Sequence, residues 1–275
     1  MKMTMSEELL YTTVKLNTFM DGVSTGSGTG FFYRINLADG KSSVILVTNK
    51  HVLAQSNRII AICHLSGNDD LPSGKQAECT INIGPEGPFL HPSEDVDLCA
   101  VIFQDILNQA KSAGSPIFLK TIGVSEIPES DEWEYFDAIE EVIMIGCPRG
   151  LYDQHNNLPL VRRGITATSI SKDYNGKHEF VVDMACFPGS SGSPVFIYNR
   201  DSYLDRQRNI NVIGSYRLKF VGILFAGPLI QNDGTIVYGQ APRVEVASMM
   251  HLGFVVRSSA VISIEENVRT LVYKQ

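Results

Sequence analysis

No hydrophobic run in this chain of 275 residues is long enough to cross a bilayer. The longest apolar stretch, residues 220–230, is interrupted by Gly222, Gly227 and Pro228, and a spanning helix needs about 20 apolar residues. A membrane is therefore not an expected partner. The first fifteen residues scatter Lys2, Glu7, Glu8 and Lys15 among apolar ones, so no secretory signal is expected. A basic block is lacking too: 23 Lys and Arg stand against 30 Asp and Glu, a net charge of −7. Nucleic acid is accordingly not expected as a partner. The five cysteines are an odd number and none forms a CxxC pair. That excludes full intrachain pairing, and the expectation is buried, reduced thiols in a cytoplasmic protein, with no metal site and no cofactor. Helical periodicity is also scarce.

What recurs instead is short β-rich runs bounded by Gly, Asn, Asp and Ser. They include Gly30–Ile35, Ser43–Thr48, Ile59–Cys63, Leu98–Phe103, Val142–Gly146, Gly164–Ser169, Phe180–Met184, Pro194–Tyr198, Phe220–Phe225 and Thr235–Tyr238. So many short strands separated by turn signals predict an all-β sandwich or barrel. Only Phe103–Ser112 and Val244–Leu252, which follows Pro242, read as helical. Residues 126–141 carry eight acids and no base, interleaved with Trp133, Tyr135 and Phe136. A self-repelling, solvated connector between two halves is the expectation there.

The segment from Asp183 to Phe196 is the richest in chemical content. Within it, Pro188-Gly-Ser-Ser-Gly-Ser-Pro194 sets Ser190 and Ser191 between two glycines. A serine hydroxyl is a poor nucleophile unless a base stands beside it and N–H groups face the developing oxyanion. Glycines permit the tight turn that gathers such N–H groups. This string resembles the G-[DN]-S-G-G-P signature of chymotrypsin-like serine proteases, and from Asp183 onward it is most similar to the Deg/HtrA branch. The resemblance implies Ser191 as nucleophile, with the N–H groups of Gly189 and Ser191 as oxyanion hole. Ser190 stands where the family has Asp or Asn, and Ser193 replaces its second Gly.

Two further segments carry the resemblance. Thr48-Asn49-Lys50-His51-Val52 resembles the T-[AN]-x-H-V signature around a catalytic histidine, and Gly26-Ser-Gly-Thr-Gly-Phe-Phe32 resembles the strand leading to it. An orienting carboxylate must accept from the imidazole and stay ionised. Of Asp95 and Asp97, the second precedes the apolar Leu98-Cys-Ala-Val101, where the family places that residue; Cys99 is extra to its strict spacing. The order His51, Asp97, Ser191 is that of chymotrypsin-like enzymes, not of subtilisins or α/β-hydrolases.

The resemblance implies a double β-barrel, two six-stranded antiparallel barrels with a few short helices. The expected organisation is residues 1–120 as the barrel bearing His51 and Asp97, and 121–141 as the acidic connector. Residues 142–258 form the barrel bearing Ser191, and 259–275 a terminal strand or helix. It also implies Ala185 at the base of the primary pocket and Phe225, Ala226 and Gly227 pairing with substrate backbone. Without an acid at Ala185, a small or aliphatic residue is expected before the scissile bond. The partners implied are protein or peptide substrates. Ser190 removes the Asp that trypsin-type zymogens use, so control would fall to loop ordering, oligomerisation or an activating partner, with residues 151–163 as the loop concerned. A different class of function, a catalytically impaired protease fold used for binding, remains beside the endopeptidase reading.

Overall fold

The computed structural model describes residues 2–37, 40–235 and 243–273. The first half is built from β1 (Thr13–Met20), β2 (Val23–Asn36), β3 (Ser42–Thr48), β4 (Arg58–Ser66), β5 (Pro72–Asn82), β6 (Phe89–Leu90), β7 (Cys99–Ile102) and β8 (Ile117–Phe118). These form one eight-stranded sheet in the order β5-β4-β1-β2-β3-β7-β6, with β8 on β4. The second half supplies β9 (Glu141–Gly146), β10 (Leu160–Thr166), β11 (Glu179–Asp183), β12 (Pro194–Asn199), the hairpin β13 (Ser202–Asp205) and β14 (Ile210–Ile213), β15 (Arg217–Ala226), the pair β16 (Leu229–Thr235) and β17 (Arg243–Met249), and β18 (Leu252–Arg257). Six of these close into a barrel ordered β10-β11-β18-β15-β12-β9. The all-β expectation therefore holds, with eight strands in one sheet where six were expected in the first half. Helices are short: α1 (Met5–Leu10), α2 (Lys50–Leu53), α3 (Gln104–Ser112) and α4 (Ala260–Val268).

Period-two alternation explains the sheet. In β4, Ile59, Ala61 and Cys63 are buried while their neighbours are partly exposed, so one face packs on Leu16, Leu46 and Phe103. A second cluster joins the halves: Phe31, Tyr33 and Ile45 of the sheet meet Ile145, Phe196, Phe220 and Ile223 of the barrel. Phe31 and Phe220 meet edge to face, ring centroids 5.3 Å apart. α4 adds Val261, Ile264 and Val268 to the same cluster, and Tyr33 donates its hydroxyl to Glu265 at 2.8 Å. The candidate site lies on this seam.

Two local expectations are corrected. Val244–Leu252 is not helical: β17 pairs antiparallel with β16 from Thr235↔Arg243 to Leu229↔Met249, and β18 follows. The Val-Glu-Val alternation at its start suits a strand. Pro242, and the run Thr235–Tyr238 beyond Thr235, lie outside the described residues. The acidic stretch is not a free solvated connector. Trp133 and Phe136 are buried and touch edge to face, Glu132 pairs with Lys219 at 2.6 Å, and Glu140 with Arg217 at 2.5 Å. Aromatic burial and specific cation partners offset the self-repulsion that charge count alone predicts.

Candidate active site

The first half supplies a histidine and its carboxylate. β3 ends at Thr48, and the fully buried Asn49 precedes α2 as its N-cap. The Asn49 side chain does not cap the helix; its Nδ2 donates to the Asp97 backbone carbonyl at 2.6 Å. This ties the entry to β7 against the start of α2. The His51 N–H then donates to Asp97 Oδ1 at 3.1 Å, and His51 Nδ1 meets Asp97 Oδ2 at 2.5 Å. In the tautomer that turns Nδ1–H to the carboxylate, Nε2 is the accepting nitrogen. Lys50 Nζ donates to the Ser93 carbonyl at 2.9 Å and so fastens the loop before Asp97. The negative charge of Asp97 is felt next door: burial first, and Asp97 second, hold the Cys99 thiol well above its ordinary range. Asp95 is exposed.

The second half supplies the serine through two successive turns. Ser190 N–H donates to the Phe187 carbonyl and Ser193 N–H to the Ser190 carbonyl, both at 3.0 Å. Gly189 has φ +87° and Gly192 φ +88°, whereas Pro188 and Ser191 have negative φ. This is the pattern of two type II turns, with Pro188 and Ser191 at their first corners and glycine at their second. The triplet repeat Pro-Gly-Ser, Ser-Gly-Ser thus accounts for the local backbone and puts the half-buried Ser191 at a corner. A Cβ at Gly192 would collide with the Thr29 carbonyl oxygen, so this glycine is required both by conformation and by space.

Neighbouring elements hold these turns. Arg149 N–H donates to the Pro188 carbonyl at 2.6 Å, turning that carbonyl outward. Thr29, on β2, is the hub. Its N–H donates to the Ser191 carbonyl at 2.9 Å, its hydroxyl donates to the Gly189 carbonyl at 2.9 Å, and Cys147 N–H donates to that hydroxyl at 3.0 Å. The Gly189 and Ser191 N–H groups donate to nothing else among the described residues, which leaves both available for an external oxygen. The Ser191 hydroxyl contacts the Phe225 carbonyl at 3.4 Å; among the described residues it makes no hydrogen bond to His51. The hydroxyls of Ser190 and Ser193 are buried and unpartnered.

The segment bearing Ala185 runs beneath this corner, between buried Met184 and Cys186. Burial pushes the Cys186 thiol up to about 11. A Cβ at Gly253 would stand 2.5 Å from Leu224 and 2.6 Å from Cys186 Sγ, so the walls here are small and apolar. Phe225 packs on Phe254 at 6.3 Å between centroids. β15 pairs with β12 only as far as Ile223, which leaves Phe225, exposed Ala226 and Gly227 as an open strand edge near Ser191. Among the described residues no group of His, Cys, Asp and Glu is placed to hold a metal. Thr29 and Asn49 lie within the motifs read from sequence, but their roles come from contacts spanning 160 and 48 residues; only their small polar character hinted at them.

Three solved structures are similar to this chain. Similar folds, at TM-scores of 0.48, 0.49 and 0.42, are an HtrA-type protease with a decapeptide, a thermostable serine protease from an extremophilic microorganism, and tobacco etch virus protease complexed with product. Identities are 14%, 11% and 12%, over 98%, 96% and 80% of this chain and 66%, 99% and 69% of theirs. The chain thus spans about two thirds of the HtrA-type protease. No curated protein matches it. Residues 28–202, which hold His51, Asp97 and Ser191, match the trypsin-like peptidase domain, and the chain belongs to that family of chymotrypsin-like serine proteases.

Proposed function

We propose that the chain is a serine endopeptidase in which Ser191 attacks the scissile carbonyl, His51 is general base and then general acid, and Asp97 orients the imidazole. The observation that carries this reading is the meeting of two independent devices on one seam: the His51–Asp97 pair and the double turn presenting Ser191 with two unpaired N–H groups. For this chemistry the Ser191 hydroxyl leaves the Phe225 carbonyl for the imidazole, a contact that often closes only with substrate bound.

In the first step the Ser191 Oγ–H proton passes to His51 Nε2 as the Oγ–C bond forms. The carbonyl oxygen becomes an oxyanion facing the Gly189 and Ser191 N–H groups. The Nε2 proton then moves to the amide nitrogen, the C–N bond breaks, and an acyl-enzyme remains; water repeats the sequence to release the acid. Each oxyanion donor is worth about 10²- to 10³-fold in rate. The residue before the scissile bond enters the small apolar space by Ala185, Cys186 and Gly253, so Ala or Val is preferred. Residues preceding it add as a strand to Phe225–Gly227.

The test is labelling with a fluorophosphonate. The wild type should label and Ser191→Ala should not. Equal labelling of both would remove Ser191 from the role, and no labelling of either would leave a protease fold used for binding.

A further inference from the structure

A basic cluster stands beside the double turn that carries Ser191, in a chain whose net charge is −7. On the proposed reading the acyl half of a substrate lies along Phe225–Gly227, and the leaving half departs on the other side of Ser191. Thr29 is bonded to both Ser191 and Gly189. Lys15 is the cross-strand partner of Thr29 in the β1–β2 ladder. Its ammonium lies 5.0 Å from the centre of the Tyr152 ring. A Cβ on Gly150 would stand 3.3 Å from Lys15 Nζ and 3.7 Å from Ser27 Oγ, so lysine, Gly150 and the exposed end of β2 crowd together. Beside them, Phe187 leads into the oxyanion turn, and two guanidinium groups gather on its ring: Arg149 at 5.5 Å and Arg162 at 5.1 Å.

None of these three cations has a carboxylate within 4.0 Å among the described residues. Six other arginines are paired, Arg163 with Glu141, Arg206 with Asp137, Arg208 with Asp205, Arg217 with Glu140, Arg257 with Asp173 and Arg269 with Glu265, whereas Arg34, Arg58 and Arg200 stand without a carboxylate among the described residues but apart from this cluster's rings. The acid nearest in sequence, Asp153, is engaged with Asn156 at 2.7 Å. Arg162 Nε is buried with no partner. Three cations held on aromatic rings, in a chain with a surplus of acids to offer, form a surface matched to an incoming anion.

We propose that Lys15, Arg149 and Arg162 form a carboxylate-recognising subsite on the leaving-group side, selecting Asp or Glu within the first three residues after the scissile bond. This rests on the protease reading above and adds its substrate class. The contacts are made alike before and in the transition state, so the selection appears in KM and leaves kcat nearly unchanged. An exposed charge contact of this kind is screened, so the selection weakens as salt rises.

The test uses the full chain and two quenched-fluorescence peptides with Val before the scissile bond, one with Glu at the second and third positions after it and one with Lys there. The expected ratio of kcat/KM is on the order of tenfold in favour of Glu at low salt, equivalent to about 1.4 kcal/mol. The ratio should shrink at 0.5 M salt, and again in Lys15→Gln and in the double variant Lys15→Gln/Arg149→Gln. In Lys15→Glu it should fall toward or below one. Because each variant is scored by its own ratio, a general loss of rate does not disturb the reading. Equal cleavage of both peptides by the wild type, or a preference for Glu that survives in the double variant, overturns the subsite alone. A chain that cleaves neither peptide and labels no serine overturns the protease reading and the subsite with it.

Discussion

On the proposed reading, the two halves of the molecule prepare the same reaction by different means. In the first, an eight-stranded sheet brings His51 and Asp97 together, with a 2.5 Å hydrogen bond between their side chains and Asn49 holding the Asp97 backbone carbonyl. In the second, a closed barrel fixes Ser191 mainly through backbone: two turns, two glycines of positive φ, and carbonyls held by the N–H groups of Arg149 and Thr29, with the Thr29 hydroxyl as the one side chain that helps. A side-chain device can lose its chemistry while the fold stands. A backbone device cannot be edited without moving the chain. The two halves should therefore answer mutation differently.

The largest expected effect is chemical and lies in the first half. Asp97→Asn keeps the shape but cannot hold Nδ1–H in place, so kcat should fall about 10⁴-fold, with a melting temperature close to that of wild type. Steady-state kinetics and a thermal melt on one preparation check both clauses. A large drop in melting temperature would mean that the pair is structural as well, and the contrast between halves would lose its basis.

Gly192→Ala is the counterpart in the second half. The new Cβ meets the Thr29 carbonyl, and φ +88° is strained for any L side chain. Clash and strain together should cost about 3 kcal/mol, read as a lower urea midpoint, and activity should vanish along with it. If the variant melts like wild type, the double turn is softer than its hydrogen bonds indicate.

Thr29→Val probes the joint between the halves. Valine keeps the volume, deprives the Gly189 carbonyl of a donor, and leaves the buried Cys147 N–H without an acceptor. An unsatisfied buried group costs about 1–3 kcal/mol. Stability and kcat should fall together, and Thr29→Ser should restore both. Failure of serine to rescue would mean that the hydroxyl is not what matters at this position.

How much of this was readable from the chain follows the same division. His51 and Asp97 were legible because each stands at the end of an apolar run, where strand periodicity announces the position. Ser191 was readable as one of three serines, and the positive φ of both flanking glycines supports that register. Asn49 and Thr29 carried little signal beyond their small polar character, since their partners Asp97, Cys147, Gly189 and Ser191 lie in loops and turns far away in sequence. The acidic stretch misled because charge count says nothing of Lys219 and Arg217 waiting on β15. Val244–Leu252 misled because its strand pairing is set by β16, not by its own periodicity.

The smallest expected effect tests whether the seam away from the site belongs to either device. Tyr33 is fully buried and gives its hydroxyl to Glu265 of α4, which is also paired with Arg269. Tyr33→Phe leaves the ring in the shared core and removes one hydrogen bond to a buried carboxylate, a loss of about 1.5 kcal/mol. The remaining Arg269 contact keeps Glu265 from being stranded, so the cost should stay near that figure. Activity at 25 °C should be unchanged, because among the described residues α4 makes no hydrogen bond or ion pair to His51, Asp97 or the double turn. A fall in kcat without a matching fall in stability would show that the terminal helix helps set how the two halves meet, and the catalytic geometry would then depend on a contact remote from both devices.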